Sequence, residues 1–364
     1  MGSVLAVGLM SGTSLDGIDA ALIETDGEGV IRPVAFRSDP YSDAARTTLR
    51  QAAALALSFE RPRPNPEILA AEDMVTRRHI MVVRQLLAGA GVEPGQIAAI
   101  GFHGQTIAHR PDRGWTWQIG DGEAMAKAVG ATVVNDLRSA DVAAGGQGAP
   151  LLPVYHRALA SGLEGPVAVL NLGGVGNITF IGADGSLVAF DTGPANALID
   201  DWMAAEAGEP FDAGGSFAAT GKVDEGVLRA MLDNPWFDAP PPKSLDRADF
   251  TLGAVRGLAP ADGAATLTAF TAISVSLGLR LLPERPKRLI VAGGGRHNAA
   301  LMRMISEACG IEAEPIEAVG WNGDATEAEG FAYMAVRSLR GLPISFPGTT
   351  GVPAPMTGGR VHRP

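Results

Sequence analysis

The sequence is poor in cysteine, in aromatic residues and in positive charge. Cys309 is the single cysteine in 364 residues, so no internal disulfide can form and a reducing, cytoplasmic setting is expected. It reads as a small buried helix residue, not a nucleophile, for want of a neighbouring histidine signal. Lys and Arg number 29 against 40 Asp and Glu, a net charge of −11. That balance argues against nucleic acid or an anionic membrane as partner, so any anionic substrate must be gripped by local donors. No apolar run approaches the ~18 residues of a membrane span, and no basic flank precedes the first apolar run, so neither a span nor a signal peptide is expected. The six histidines (His79, His103, His109, His156, His297 and His362) lack metal-ligand spacing, which argues against zinc. There is no P-loop: the nearest stretch, Gly215–Val223, has the wrong spacing and no hydroxyl after Lys222. There is also no Gly-x-Gly-x-x-Gly opening a helix after a strand, and no Gly-x-Ser-x-Gly elbow.

Glycine, by contrast, is abundant at 47 residues, and it marks the ends of the strongest apolar runs. Val4–Leu9 reads as a buried strand followed by a turn of small hydroxyl residues, Ser11, Gly12, Thr13 and Ser14, then Asp16, Gly17 and Asp19 as a second strand begins at Ile18. Such a turn presents backbone N–H groups and hydroxyls with nothing bulky in front, a seat for phosphate oxygens or an ordinary hairpin turn. Asp16 and Asp19 repel bare phosphate and make sense with a divalent cation between, Asp16 acting through water. Strands 18–24 and 30–36 complete an antiparallel meander. Helices are expected over 42–57, 67–91 and 121–130, and strands over 97–102, 115–119 and 132–135. A glycine cluster, Gly145-Gly146-Gln147-Gly148, follows as a functional loop or hinge. The theme then repeats. Strand 166–172 ends in Gly173-Gly174-Val175-Gly176-Asn177, strands 178–181 and 187–190 follow, and Asp191 stands where Thr192–Asn196 starts a helix. Strand 288–292 ends in Gly293-Gly294-Gly295. The chain therefore reads as a duplication of architecture in an α/β protein, with its glycine-marked strand ends converging on one cleft. A last helix is expected over 324–340, and an extended surface tail after Gly341.

These segments resemble the sugar kinase, actin and chaperone ATPase superfamily. Gly8–Asp19 resembles its first phosphate loop, Asn171–Asn177 the second, and Ala292–Asn298 its adenosine loop. The ordered set Gly-Leu-Met-Ser-Gly-Thr-Ser-Leu-Asp-Gly-Ile-Asp, Gly-Phe-His-Gly-Gln-Thr-Ile, Asp-Leu-Arg-Ser-Ala-Asp, Gly-Gly-Gln-Gly-Ala-Pro-Leu-Leu-Pro, Asn-Leu-Gly-Gly-Val-Gly-Asn-Ile-Thr, Phe-Asp-Thr-Gly-Pro-Ala-Asn and Glu-Ala-Glu-Gly-Phe-Ala is similar to the anhydro-N-acetylmuramic acid kinases. The resemblance implies two duplicated actin-like, ribonuclease H-like domains with a central interdomain cleft. These are residues 1–165, completed by helix 324–340 and tail 341–364, and residues 166–323, which carry the adenosine loop. It implies ATP and Mg²⁺, 1,6-anhydro-N-acetylmuramic acid as substrate, and a homodimer. ATP is assigned to Gly12, Thr13, Ser14, Leu15, Asp16, Gly17, Ile18, Asp19, Gly173, Gly174, Asn177, Gly293, Gly294 and Gly295. The sugar is assigned to His103, Gln105, Arg138, Asp141, Gln147 and Asn196, with Asp191 and Glu327 as catalytic residues. Arg138 is the choice for the sugar's lactyl carboxylate. Asp191 is expected to be the base toward water, its pKa kept low by the helix dipole beside it. Two other readings are an actin-like ATPase and a plain sugar kinase with a hydroxyl nucleophile.

Overall fold

The computed structural model describes residues 2–245 and 249–364. The chain forms two compact units, residues 1–161 with 324–364, and residues 162–323. In chain order, unit 1 begins with strands β1 (Val4–Ser11), β2 (Gly17–Thr25) and β3 (Ile31–Pro40), then helices α1 (Asp43–Leu57) and α2 (Pro66–Ala90). Strands β4 (Ile97–Arg110) and β5 (Trp115–Ile119), α3 (Gly122–Val129), β6 (Val133–Asn135), α4 (Ser139–Ala143) and α5 (Pro153–Leu159) follow. Unit 2 holds β7 (Val167–Leu172), β8 (Val175–Ile181), β9 (Leu187–Pro194), α6 (Asn196–Glu206), α7 (Glu225–Leu232), α8 (Pro260–Arg280), β10 (Arg288–Ala292), α9 (Ala299–Cys309) and β11 (Ala313–Pro315). The chain then returns to unit 1 with α10 (Thr326–Leu339), α11 (Pro347–Thr350) and β12 (Arg360–His362).

Local chemistry accounts for the element ends. Ser42 caps α1 by accepting from Ala45 N, and Asn65 caps α2 by accepting from Glu67 N and Ile68 N, with Pro66 at the first helical position. Helix α2 stops at Gly91, whose φ of 65° suits a residue without Cβ.

The two sheets share one plan. In unit 1 the path β3-β2-β1-β4-β6 has an antiparallel meander, β1 to β3, extended by parallel β4 and β6. In unit 2 the path β9-β8-β7-β10-β11 repeats it strand for strand. Both sheets thus have a ribonuclease H-like strand order. It places the turns β1–β2 and β7–β8 and the end of β10 at the same topological positions the glycine pattern marked.

Helix α10 lies directly on the unit 1 sheet because two register partners, Gly8 on β1 and Gly101 on β4, have no side chains. A Cβ on Gly8 would sit 1.8 Å from Ala328 O, and one on Gly101 2.0 Å from Phe331 O. Helix α8 is long and apolar enough to cross a bilayer by length and composition, yet 78% of that window is buried within the structure. The tail differs from the extended surface segment expected. Ile344, Ser345, Thr349, Thr350 and Val352 are all buried, and β12 adds to the sheet beside β6. Ile344 joins the core cluster formed by β1, β4, β6, α5 and α10, with Phe346 packed against it, which a proline-rich composition does not reveal.

Candidate active site

In unit 1 the turn after β1 is tightly tied. Leu15 adopts a left-handed φ of 62°, Leu15 N donates to Gly12 O, and Tyr41 N donates to Asp16 O. Arg46 Nε of α1 donates to Leu15 O at 3.2 Å. Gly17 must be glycine, since a Cβ would lie 2.5 Å from Asp39 O. Thr13, Ser14 and Asp16 are exposed, whereas Ile18 is fully buried in the core. The side chain of Ile18, placed on the ATP list from sequence, is thus a core residue, and only its backbone could serve a ligand.

Gln105, also fully buried, donates from Nε2 to Gly12 O at 3.0 Å, and its Oε1 has no hydrogen-bond partner among the described residues. Beside it, His103 donates from Nδ1 to Gly104 O (2.7 Å) and accepts at Nε2 from Arg138 Nε (3.1 Å). This pattern fixes the tautomer, because a guanidinium nitrogen can only donate. Burial, then the Arg138 charge, pushes the imidazole down to about 3. With both nitrogens engaged, His103 orients Arg138. The Arg138 guanidinium is pushed down to about 10 by burial, against the upward pull of Glu327 and Asp141, and stays charged. The Glu327 carboxyl is raised by burial, lowered by Arg138 and raised by Asp19. Asp19 is itself raised by burial, lowered by Ser38, and raised by Asp324 and Asp16. Arg138, Glu327, Asp19, Asp324 and Asp16 therefore form one electrostatic group in unit 1, of which Asp324 was not picked out from the sequence.

Asp141 departs from the sugar contact expected. It is 3% exposed, and its oxygens accept from Gly148 N and Thr350 Oγ1, each at 2.6 Å. It anchors the glycine loop instead, and Gln147 in that loop donates its N–H to Thr350 O.

In unit 2 the sequence-marked glycines meet. Asn196 N donates to Gly173 O, and Asn196 Nδ2 donates to Leu172 O. Gly293 (φ 77°) and Gly295 pack so closely on β7 that a Cβ would stand 2.5 Å from Asn171 Oδ1 and 2.6 Å from Leu172 Cβ respectively. Arg296 holds this loop by donating to Gly293 O and Glu317. A cavity of ≈ 330 Å³ opens beside it, lined by Asn196, Phe211, Asp212, Gly294, Gly295 and His297. Asn196, expected on the sugar, thus belongs to the wall of this cavity. Asp212 was missed in the sequence; it fixes the loop by accepting from Phe217 N and Ala218 N.

Asp191 faces Asn177 across the β8–β9 ladder. One carboxylate oxygen accepts from Asn177 Nδ2 at 2.9 Å and the other from Leu245 N at 2.8 Å. Neither bond is a helix cap, and α6 starts only at Asn196. Its pKa is raised by burial, against the lowering by Asn177 and Leu245, the reverse of the low value expected from the dipole. Desolvation outweighs both hydrogen bonds, and the carboxylate does not cap the helix whose dipole was expected to lower it.

Among the described residues no group of three or more His, Cys, Asp or Glu side chains could hold a metal ion alone.

Comparisons with known proteins identify the family. A family model described as anhydro-N-acetylmuramic acid kinase matches residues 4–363. A protein of that description from Rhizorhabdus wittichii is 75% identical, covering 100% of both chains. Others from Zymomonas mobilis subsp. mobilis and Paramagnetospirillum magneticum are 56% and 53% identical, covering 99% of this chain and 100% of theirs. The chain belongs to the anhydro-N-acetylmuramic acid kinase family.

Proposed function

We propose that this chain converts 1,6-anhydro-N-acetylmuramic acid, ATP and water into N-acetylmuramic acid 6-phosphate and ADP, a step in the recycling of cell-wall peptidoglycan. The observation that carries the reading is the family match along essentially the whole chain, and the chemistry of the named residues supports it. Water attacks the anomeric carbon as the C1–O6 bond breaks. The electron pair of that bond leaves on O6, which takes the γ-phosphoryl group while ADP departs. Asp191 accepts the water's proton. Its two hydrogen bonds fix the carboxylate plane and leave a lone pair on each oxygen, and burial makes it a better base than an ordinary aspartate. Arg138, held by His103, takes the lactyl carboxylate, and Glu327 orients water or sugar. The turns at Gly12–Ser14, Gly173–Gly174 and Gly293–Gly295 offer backbone donors to the nucleotide. Asp16 and Asp19 would hold Mg²⁺ through water, where the cation would offset phosphate charge.

Solvent ¹⁸O tests the ring opening. The label is expected in the C1 hydroxyl of the product, and its absence there would establish a plain hydroxyl-acceptor kinase. Asp191→Asn should bind ATP nearly as well and lose turnover by about 10²–10⁴. Unchanged turnover would make this aspartate structural.

A further inference from the structure

The fully buried Thr350 lies in the tail, 209 residues from its partner Asp141 in sequence. Its hydroxyl donates to Asp141 Oδ2, and Gly148 N donates to Asp141 Oδ1. The Gly148 carbonyl then accepts from Arg138 Nη1 at 2.7 Å. A second tie runs beside the first, since Gln147 N donates to Thr350 O at 2.7 Å. The loop permits this only through its glycines. A Cβ on Gly146 would stand 2.2 Å from Asp141 Oδ1 and 2.6 Å from Val352 Cγ1, and Gly148 has a φ of 68°.

We propose that the C-terminal tail sets the position of Arg138 through the relay Thr350–Asp141–Gly148–Arg138, making Thr350 a positioning residue for the carboxylate-bearing sugar. The proposal rests on the reading that Arg138 takes that carboxylate. A buried carboxylate needs a donor on each oxygen, and losing one leaves it free to rotate toward other donors or water. The donor it would give up is Gly148 N, and Gly148 O is what steers one edge of the guanidinium. His103 holds only Nε, so a loosened loop lets the Nη groups swing about that bond. Bidentate recognition of a carboxylate depends on their direction.

The test compares the native chain with Thr350→Val, Thr350→Ser and Arg138→Met, varying ATP and two sugars. One is 1,6-anhydro-N-acetylmuramic acid. The other is 1,6-anhydro-N-acetylglucosamine, which lacks the lactyl carboxylate and is read as substrate or competitive inhibitor. Thr350→Val is expected to raise KM for the first sugar about tenfold. KM for ATP, kcat and the constant for the carboxylate-free sugar should stay near their native values, and Thr350→Ser should restore the native KM. A general structural defect would instead weaken both sugars alike, which overturns the relay. So does a native KM in Thr350→Val. If Arg138→Met leaves the preference between the two sugars untouched, the reading of Arg138 fails and takes the relay with it. If Arg138→Met abolishes that preference and Thr350→Val does not, the relay alone fails. Should Thr350→Val not fold, Thr350→Cys, which keeps the volume and weakens the donor, is held to the same criteria.

Discussion

At the residue scale, the proposed chemistry turns on a carboxylate whose surroundings pull it in two directions. Burial disfavours the charged form of Asp191, while Asn177 and Leu245 N stabilise it. A base must be ionised to act, so turnover falls as pH drops through its folded-state pKa. Because that pKa is raised, the acid limb of kcat should lie above the ~3.9 of an unperturbed aspartate. Asn177→Leu removes one of the two lowering interactions and should move the limb higher still. A pH–rate profile whose limb moves down, or stays put, would refute this account of the base. The sequence pattern puts Asp191 at a strand end after Phe190, whereas β9 runs on through it to Pro194, and its charge environment was not legible either. One of its two donors, Leu245 N, comes from 54 residues further on, and no local pattern encodes that contact. Asp141 misled for a similar reason, since a polar residue in a glycine-flanked loop looks available until its distant donor, Thr350, is seen.

At the element scale, strands β1 to β10 and most helices were legible because apolar runs and glycine turns are local signals; the three-residue strands β11 and β12, which extend the two sheets, were not. The tail was not legible, because its buried residues are spaced with neither helical nor strand period. What seats α10 on the sheet is also a local signal, though a silent one: glycine at Gly8 and Gly101 reads as a weak strand former until the helix above it is known. Backbone oxygens at 1.8 and 2.0 Å from a Cβ cannot move away as a flexible side chain can. Gly8→Ala should therefore cost about 3 kcal/mol or more of stability, and Gly101→Ala about the same. Gly2→Ala, with nothing within 4 Å of its Cβ, is the control and should melt with the native chain. Equal melting temperatures for Gly8→Ala and Gly2→Ala would show that α10 does not rest on β1 in this way.

At the scale of the whole molecule, the buried histidines are unevenly shared. His79, His103 and His156 all lie in unit 1, with burial pushing them down to about 4, about 3 and about 4. The single histidine of unit 2, His297, is exposed. A histidine depressed in the folded state contributes stability that is complete above its unfolded value near 6.5 and lost as pH falls toward the folded value. His109, also in unit 1, is lowered by burial as well; counting only the three fully buried groups, unfolding takes up about three protons, and stability falls by up to about 4 kcal/mol per pH unit below pH ~6. Asp19, Glu327 and Glu329, whose pKa values burial raises, work the other way as they gain protons, so the net fall is shallower. Unit 2 has no counterpart to this histidine load. Hydrogen exchange followed by mass spectrometry, corrected for intrinsic rates, should show β1, β4 and α2 losing protection between pH 7 and pH 5 while β7, β8 and α8 keep theirs. His79→Leu should flatten that loss by about one proton. Its Nε2 is buried without a partner among the described residues and its ring packs at 4.9 Å from Phe102, so an apolar replacement gives up only the Nδ1 bond to Val75 O. Equal loss of protection in both units, or a His79→Leu chain as acid-sensitive as the native one, would mean that groups other than these histidines govern its acid response.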